Sequence, residues 1–332
     1  MGITQRTVGG IRGIIMKKLA VIFILAILAM LPSCTGTVPT RITGFAMDTE
    51  ISVTVYGDTN LASEVLHAVT ALENEISWSI DGSAVYRLNQ SGEAESRTLC
   101  DIIAAANELY RDTDGRYSIA VRELCNLWDI NSGEQKIPSD ADIAAVLRRT
   151  GSMPTVSGDK VTLSGGQAVD LGSLGKGAAC DKAAELFKIR NQSGIAAIGS
   201  SLALCANKPD GEKWTVAVAS PDDKNKSVGV LYLDGDCFVS TSNGAERGFT
   251  LNGKRYHHII DAVTGYPSQS DVKSVAVIAK SGVMSDALST ACFIVGYDES
   301  VKLLGKYDAK AVFVLQNGQT KCFGDLEFEV AK

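Results

Sequence analysis

The sequence predicts an α+β protein, with strands gathered into one or two mixed sheets and helices flanking them. Helical and strand periodicities both occur, and the second half is clearly richer in strand-like stretches. They follow no regular strand–helix alternation, which argues against a doubly wound sheet, and the helices argue against a β-sandwich. No internal repeat, low-complexity stretch or Pro-rich linker interrupts residues 45–332, so one compact unit, of one lobe or two, is the economical arrangement.

Taken in order, residues 1–33 carry Arg6, Arg12, Lys17 and Lys18 and no acid, and Leu19–Leu31 is an unbroken run of thirteen apolar residues. That run is short for a bilayer span and fits the apolar core of a signal peptide. Leu31-Pro32-Ser33-Cys34 resembles the bacterial lipoprotein cleavage box, which makes Cys34 the lipidated first residue of a mature protein anchored on the extracytoplasmic (periplasmic) side of the cell membrane. Met16-Lys17-Lys18 would serve equally well as a start. Residues 34–44 lack apolar periodicity and read as a tether, with order from Phe45.

Ile51, Val53 and Val55 alternate with polar residues as a half-buried strand does, and Gly57-Asp58 ends it. Leu61, Val65, Val69, Leu72 and Ile76 lie on one face of a helix. Further helices are expected at 99–112, 140–149, 177–190 and 285–296, and strands at 214–219, 229–234, 237–241, 273–279 and 311–316.

The 32 basic and 38 acidic residues become 28 and 38 once the first 33 residues are removed, a net charge of −10. So acidic a chain lacks the Lys/Arg excess that nucleic-acid binding requires. Without Cys34, seven cysteines remain with no CxxC spacing, which argues against a zinc ribbon; several sit in apolar surroundings, as free buried thiols do.

Three stretches carry candidate chemistry. Asp170-Leu171-Gly172-Ser173-Leu174-Gly175-Lys176-Gly177-Ala178-Ala179-Cys180-Asp181 places glycines and a lysine where a helix opens, a setting suited to phosphate; a Gly-rich turn with a solvated lysine is the plainer alternative. It is not a P-loop, since no Ser or Thr follows Lys176. His257-His258-Ile259-Ile260-Asp261-Ala262-Val263-Thr264-Gly265-Tyr266-Pro267 holds adjacent histidines, which on a strand face opposite sides, so that one at most serves a given site. A surface His–Asp pair is the competing explanation. In Ser285-Asp286-Ala287-Leu288-Ser289-Thr290, Ser285 suits a helix cap, while Asp286 and Thr290 share a helical face and offer hard oxygens to Mg²⁺; capping alone would also account for the aspartate.

In combination with Met47-Asp48-Thr49 and Thr241-Ser242, these blocks resemble the ApbE family of FAD:protein FMN transferases over residues 45–325. Ser83–Asn89, Thr113–Tyr117, Leu127-Trp128 and Lys208–Trp214 agree with it. The resemblance implies Mg²⁺-dependent transfer of FMN from FAD to a threonine hydroxyl of an exported acceptor flavoprotein that carries a flavinylation motif, releasing AMP. It implies metal ligands at Asp286, Thr290 and the Gly175 carbonyl, and His258 as base, with Asp261 to orient it. FAD contacts are implied at Met47, Tyr86, Tyr117, Ser118, Ile119, Lys176, Asp181, His258 and Ile259. An FAD pyrophosphatase giving FMN and AMP, or a non-catalytic FAD-binding lipoprotein, would use the same residues. The chain departs from the family pattern at Asp48 for Gly, Ser118 for Asp, Ser200-Ser201-Leu202 for Gly-Gly-Asp, and Ala262 for Pro.

Overall fold

A computed structural model describes residues 38–331 apart from 131, 133, 134, 151 and 224. The expected signal peptide and Cys34 lie outside the described residues. The strands are β1 (Thr40–Ala46), β2 (Thr49–Tyr56), β3 (Glu93–Glu95), β4 (Thr155–Ser157), β5 (Lys160–Thr162), β6 (Ser193–Ile198), β7 (Ser201–Cys205) and β8 (Trp214–Ala219). They continue as β9 (Ser227–Leu233), β10 (Cys237–Asn243), β11 (Gly248–Leu251), β12 (Lys254–His257), β13 (Val272–Ala279), β14 (Lys310–Leu315), β15 (Thr320–Phe323) and β16 (Phe328–Val330). The helices are α1 (Thr59–Ile76), α2 (Ala84–Ser91), α3 (Arg97–Asp112), α4 (Arg122–Trp128), α5 (Asp140–Thr150), α6 (Gly175–Ile189), α7 (Gly282–Val295) and α8 (Tyr297–Lys306).

The α+β class is as expected. An eight-stranded sheet in the order β1-β2-β6-β7-β10-β13-β14-β15 divides the molecule, and all its pairings are antiparallel. Its central strands are apolar on both faces. Phe238, Val275, Val277 and Phe313 pack with residues of α1, α3, α6 and α7, while Val239, Ala276, Ile278 and Val312 pack against a second sheet, β16-β9-β8. This two-sided burial gives β13 and β14 their unbroken apolar runs. A third cluster joins Leu124 and Trp128 of α4, Ile143 of α5, and Phe249 and Tyr256 of the β11–β12 hairpin. The described residues from Val38 onward form one unit. All seven described cysteines are free; burial raises the thiols of Cys205 and Cys292 to about 12, so both stay protonated at neutral pH.

Two boundaries differ from the sequence reading. Strand β1 lies largely within the segment read as a tether, because an edge strand is held by its main-chain pairing with β2 and needs no apolar periodicity. Helix α7 begins at Gly282 and is capped by Ser281, not Ser285, which is fully buried inside the helix and hydrogen-bonds Ser240 of β10 at 2.8 Å.

Candidate active site

A cavity of about 950 Å³ opens between the two sheets and the starts of α6 and α7, near the upper end of the usual range for small-molecule sites. Its lining includes Met47, Lys176, His258, Ile259, Asp286 and Thr290, drawn from four segments far apart in the sequence.

The floor is set by the crossing of α6 and α7. A Cβ on Gly177 would lie 2.1 Å from the Gly282 carbonyl oxygen, and one on Gly282 would lie 2.2 Å from the Gly177 carbonyl oxygen. Neither position admits any side chain, so the two helix starts come into backbone contact. At Gly175 an added Cβ would meet only Ile76, at an ordinary 3.7 Å. Gly177 therefore serves helix packing, while Gly175 borders the cavity.

Across this crossing each helix caps the other. Asp181 of α6 accepts from the backbone N–H groups of Gly282 (2.6 Å) and Val283 (2.8 Å) and from the Ser281 hydroxyl (3.2 Å). Helix α6 has no capping side chain at Leu174, and Asp286 of α7 supplies one, its Oδ2 accepting from Gly177 N–H at 2.9 Å. Asp286 is 2% exposed, yet among the described residues its Oδ1 has only the Lys176 ammonium, at 3.7 Å, beyond hydrogen-bond length. Lys176 also donates to the Gly172 carbonyl at 3.3 Å. One turn after Asp286, the Thr290 hydroxyl is 3.2 Å from Ser242 of β10, and Ser242 in turn is 2.7 Å from Ser289.

The adjacent histidines divide as strand geometry requires. His257 is buried against Phe293; its Nε2 is 2.9 Å from the Ser268 carbonyl and its Nδ1 accepts from Ile259 N–H at 3.3 Å, so both ring nitrogens are used. His258 faces the cavity, with Nδ1 3.4 Å from the Arg247 carbonyl. A carbonyl only accepts, so this contact favours the tautomer with its proton on Nδ1 and leaves the Nε2 lone pair available. Burial lowers the pKa of His258 to about 4, aided by the charges of Arg247 and Lys176, and the imidazole is neutral at pH 7. Asp261 does not orient it: among the described residues its carboxylate bonds Arg116 at 2.8 Å and the N–H groups of Val263 and Thr264, which fixes the following turn. The surface His–Asp pair is excluded too, since His257 and Asp261 are both buried.

Tyr117 and Ser118 also line the cavity, with the Tyr117 hydroxyl 3.0 Å from Ser173. Tyr86, Ile119 and Asp181 are not in its lining: Tyr86 lies on α2, Ile119 is wholly buried in the core, and Asp181 is turned to the α7 N-terminus. Met47 and Asp48 form the two-residue β1–β2 turn with φ of 56° and 54°. This left-handed geometry explains why glycine suits position 48 and why aspartate is tolerated there; the Met47 N–H is held by Glu73 at 2.8 Å. Sequence reasoning missed Trp78 and Arg122. The Arg122 guanidinium lies 3.2 Å from the Trp78 ring centroid and 3.3 Å from Asp170, and both residues line the cavity. The available signal was a tryptophan just past the last apolar position of α1, where periodicity assigns it no core role.

Fold and site thus define an α+β protein with a cavity of about 950 Å³, an acidic oxygen at its floor, and a lysine and a neutral histidine on its walls. The sequence profile of the ApbE family matches residues 47–313, and the chain belongs to that family. It is 30% identical over 275 residues to the FAD:protein FMN transferase of Treponema pallidum, covering 75% of this chain and 76% of the relative. With the FAD:protein FMN transferase of Salmonella typhimurium it shares 28% over 297 residues, 83% of this chain and 84% of the relative. The solved ApbE protein of Thermotoga maritima superposes with a TM-score of 0.79 at 26% identity, covering 86% of this chain and 97% of that one.

Proposed function

We propose that this chain transfers the FMN half of FAD to a threonine hydroxyl of an exported acceptor protein, releasing AMP, with Mg²⁺ held at Asp286, Thr290 and the Gly175 carbonyl. The naming of its relatives as FAD:protein FMN transferases supports the reaction class. One observation carries the assignment of the site: a buried carboxylate keeps a spare oxygen on the cavity wall beside Lys176 and Thr290. A carboxylate, a hydroxyl and a carbonyl are the hard donors Mg²⁺ takes, and burying Asp286 with an under-used oxygen is costly unless a cation meets it. When bound, Mg²⁺ would neutralise charge on the pyrophosphate.

The chain's own residues account for the rest. Lys176 and the α6 N-terminus hold positive potential where the phosphates must lie. His258 Nε2 takes the proton of the acceptor hydroxyl as its oxygen bonds to the FMN phosphorus and the bond to AMP breaks. A neutral imidazole is the form this step requires. Mature protein anchored through Cys34 would work on the extracytoplasmic face; a Cys34→Ala variant should be released from membranes, and failure of the wild type to incorporate labelled fatty acid would remove the anchor.

The test is incubation of the purified protein with FAD, Mg²⁺ and a protein domain that the Vibrio cholerae FAD:protein FMN transferase modifies. Covalent flavin fluorescence on the domain is expected; free FMN alone would make the chain a pyrophosphatase, and intact FAD a binding protein.

A further inference from the structure

Strand β8 is an outer strand of the β16-β9-β8 sheet, and the direction of its free main-chain groups follows from its neighbours. Tyr232 N–H of β9 donates to Glu327, and Val228 accepts from Ala331 N–H, so the even-numbered residues of β9 point toward β16. Their partners on β8 are Thr215, opposite Tyr232, and Ala217, opposite Val230. In an antiparallel pair, opposed residues both point inward or both outward, so the N–H and C=O groups of Thr215 and Ala217 point to the free edge. Among the described residues these outward groups have no hydrogen-bond partner.

This edge borders the catalytic cavity. Four consecutive residues, Val216–Ala219, line it, although their side chains alternate between the two faces of the sheet. A strand can do that only by presenting its edge. The edge is also unguarded. The other outer strands of this sheet and of the eight-stranded sheet carry Arg41 in β1, Lys321 in β15 and Glu329 in β16, whereas β8 reads Trp-Thr-Val-Ala-Val-Ala with no charge and no proline. Such an edge is a pairing template that proteins ordinarily block.

We infer that the β8 edge receives an extended segment of the acceptor polypeptide as an added strand, main chain to main chain, and so leads its hydroxyl into the cavity. The inference rests on the transferase reading, because that reaction requires a protein segment to enter a cavity otherwise occupied by FAD. The small side chains of Ala217 and Ala219 leave room for it, and main-chain pairing fixes register without demanding a particular sequence.

The test uses the same acceptor domain. Amide exchange at Thr215 and Ala217 should slow at least ~10-fold when the domain is added without FAD, and FAD alone should leave both amides unchanged. Thr215→Pro removes an outward N–H and leaves the β8–β9 ladder intact; it should raise the acceptor KM by about 10-fold, with FAD affinity within about twofold of wild type, while Thr215→Ser behaves as wild type. Transfer without amide protection, protection by FAD alone, or an unchanged acceptor KM in Thr215→Pro overturns the docking and leaves the transferase reading standing. Protection without transfer does the reverse. Absence of both refutes the two together.

Discussion

The closed and cavity-facing sides of the site use the same residue types to opposite ends. On the closed side, Asp181 spends its carboxylate on three donors at the start of α7, and His257 commits both ring nitrogens. On the cavity side, Asp286 spends one oxygen on α6 and leaves the other within 3.7 Å of Lys176, and His258 leaves one nitrogen uncommitted. Residue type does not separate the members of each pair, and burial runs in opposite directions, Asp286 being the more buried aspartate and His258 the less buried histidine. The spare lone pair separates them, and chemistry is available only where protein geometry leaves one unspent.

Both sides of the site depend on the helix crossing. In Gly177→Ala, helix propensity would gain about 1 kcal/mol, but the new methyl meets the Gly282 carbonyl and overpacking of about 3 kcal/mol prevails. Thermal unfolding should show the loss, and affinity for Mg²⁺ should fall with it, because moving the helices apart disturbs both reciprocal caps.

Next in size is the difference between the histidines. His258→Ala should bind FAD normally and transfer FMN about 100-fold more slowly; near-normal transfer would remove the base. The acid limb of kcat/KM should fall through about pH 4, where His258 protonates, with no inflexion near 6.5. His257, lowered to about 4 chiefly by burial, has no spare nitrogen for the transfer and should act on stability alone, to which His258, equally lowered, adds its own share. Between pH 6.5 and 4 the unfolded chain binds a proton that the native one does not. Stability should therefore drop as pH falls across that window, by at most about 1.4 kcal/mol per pH unit from His257, and His257→Gln should flatten the slope.

The smallest effect sharpens the contrast between the aspartates. Asp181→Ala strips the start of α7 of an acceptor and should cost about 1–2 kcal/mol of stability. Below its unfolding temperature it should keep the wild-type Mg²⁺ dependence of transfer. A shifted Mg²⁺ midpoint would mean that the closed side also takes part in the chemistry.

Much of this was legible in the sequence. Helices α1, α3, α5 and α6 and strand β8 follow directly from apolar spacing. Strands β6 and β7 did not, since Gly194, Ala196, Ala197 and Ala203 are too small to mark a strand, and α8 was obscured by Asp298, Glu299 and Lys302. The motifs located the cavity, and Gly175, Lys176, His258, Asp286 and Thr290 do meet there. What spacing could not supply was the purpose of each. Gly177 is explained by Gly282, more than a hundred residues away, and Asp181 by a helix start that no local pattern places beside it.

If the free oxygen of Asp286 serves a cation, the rate of FMN transfer against Mg²⁺ concentration must differ between wild type and Asp286→Asn. Asparagine keeps the size and an oxygen to cap α6 but loses the charge. The variant should stay folded, retain FAD affinity and show a midpoint displaced at least ~10-fold to higher Mg²⁺, with the rate partly restored there. Superimposable curves would contradict the claim and leave Asp286 as a helix cap.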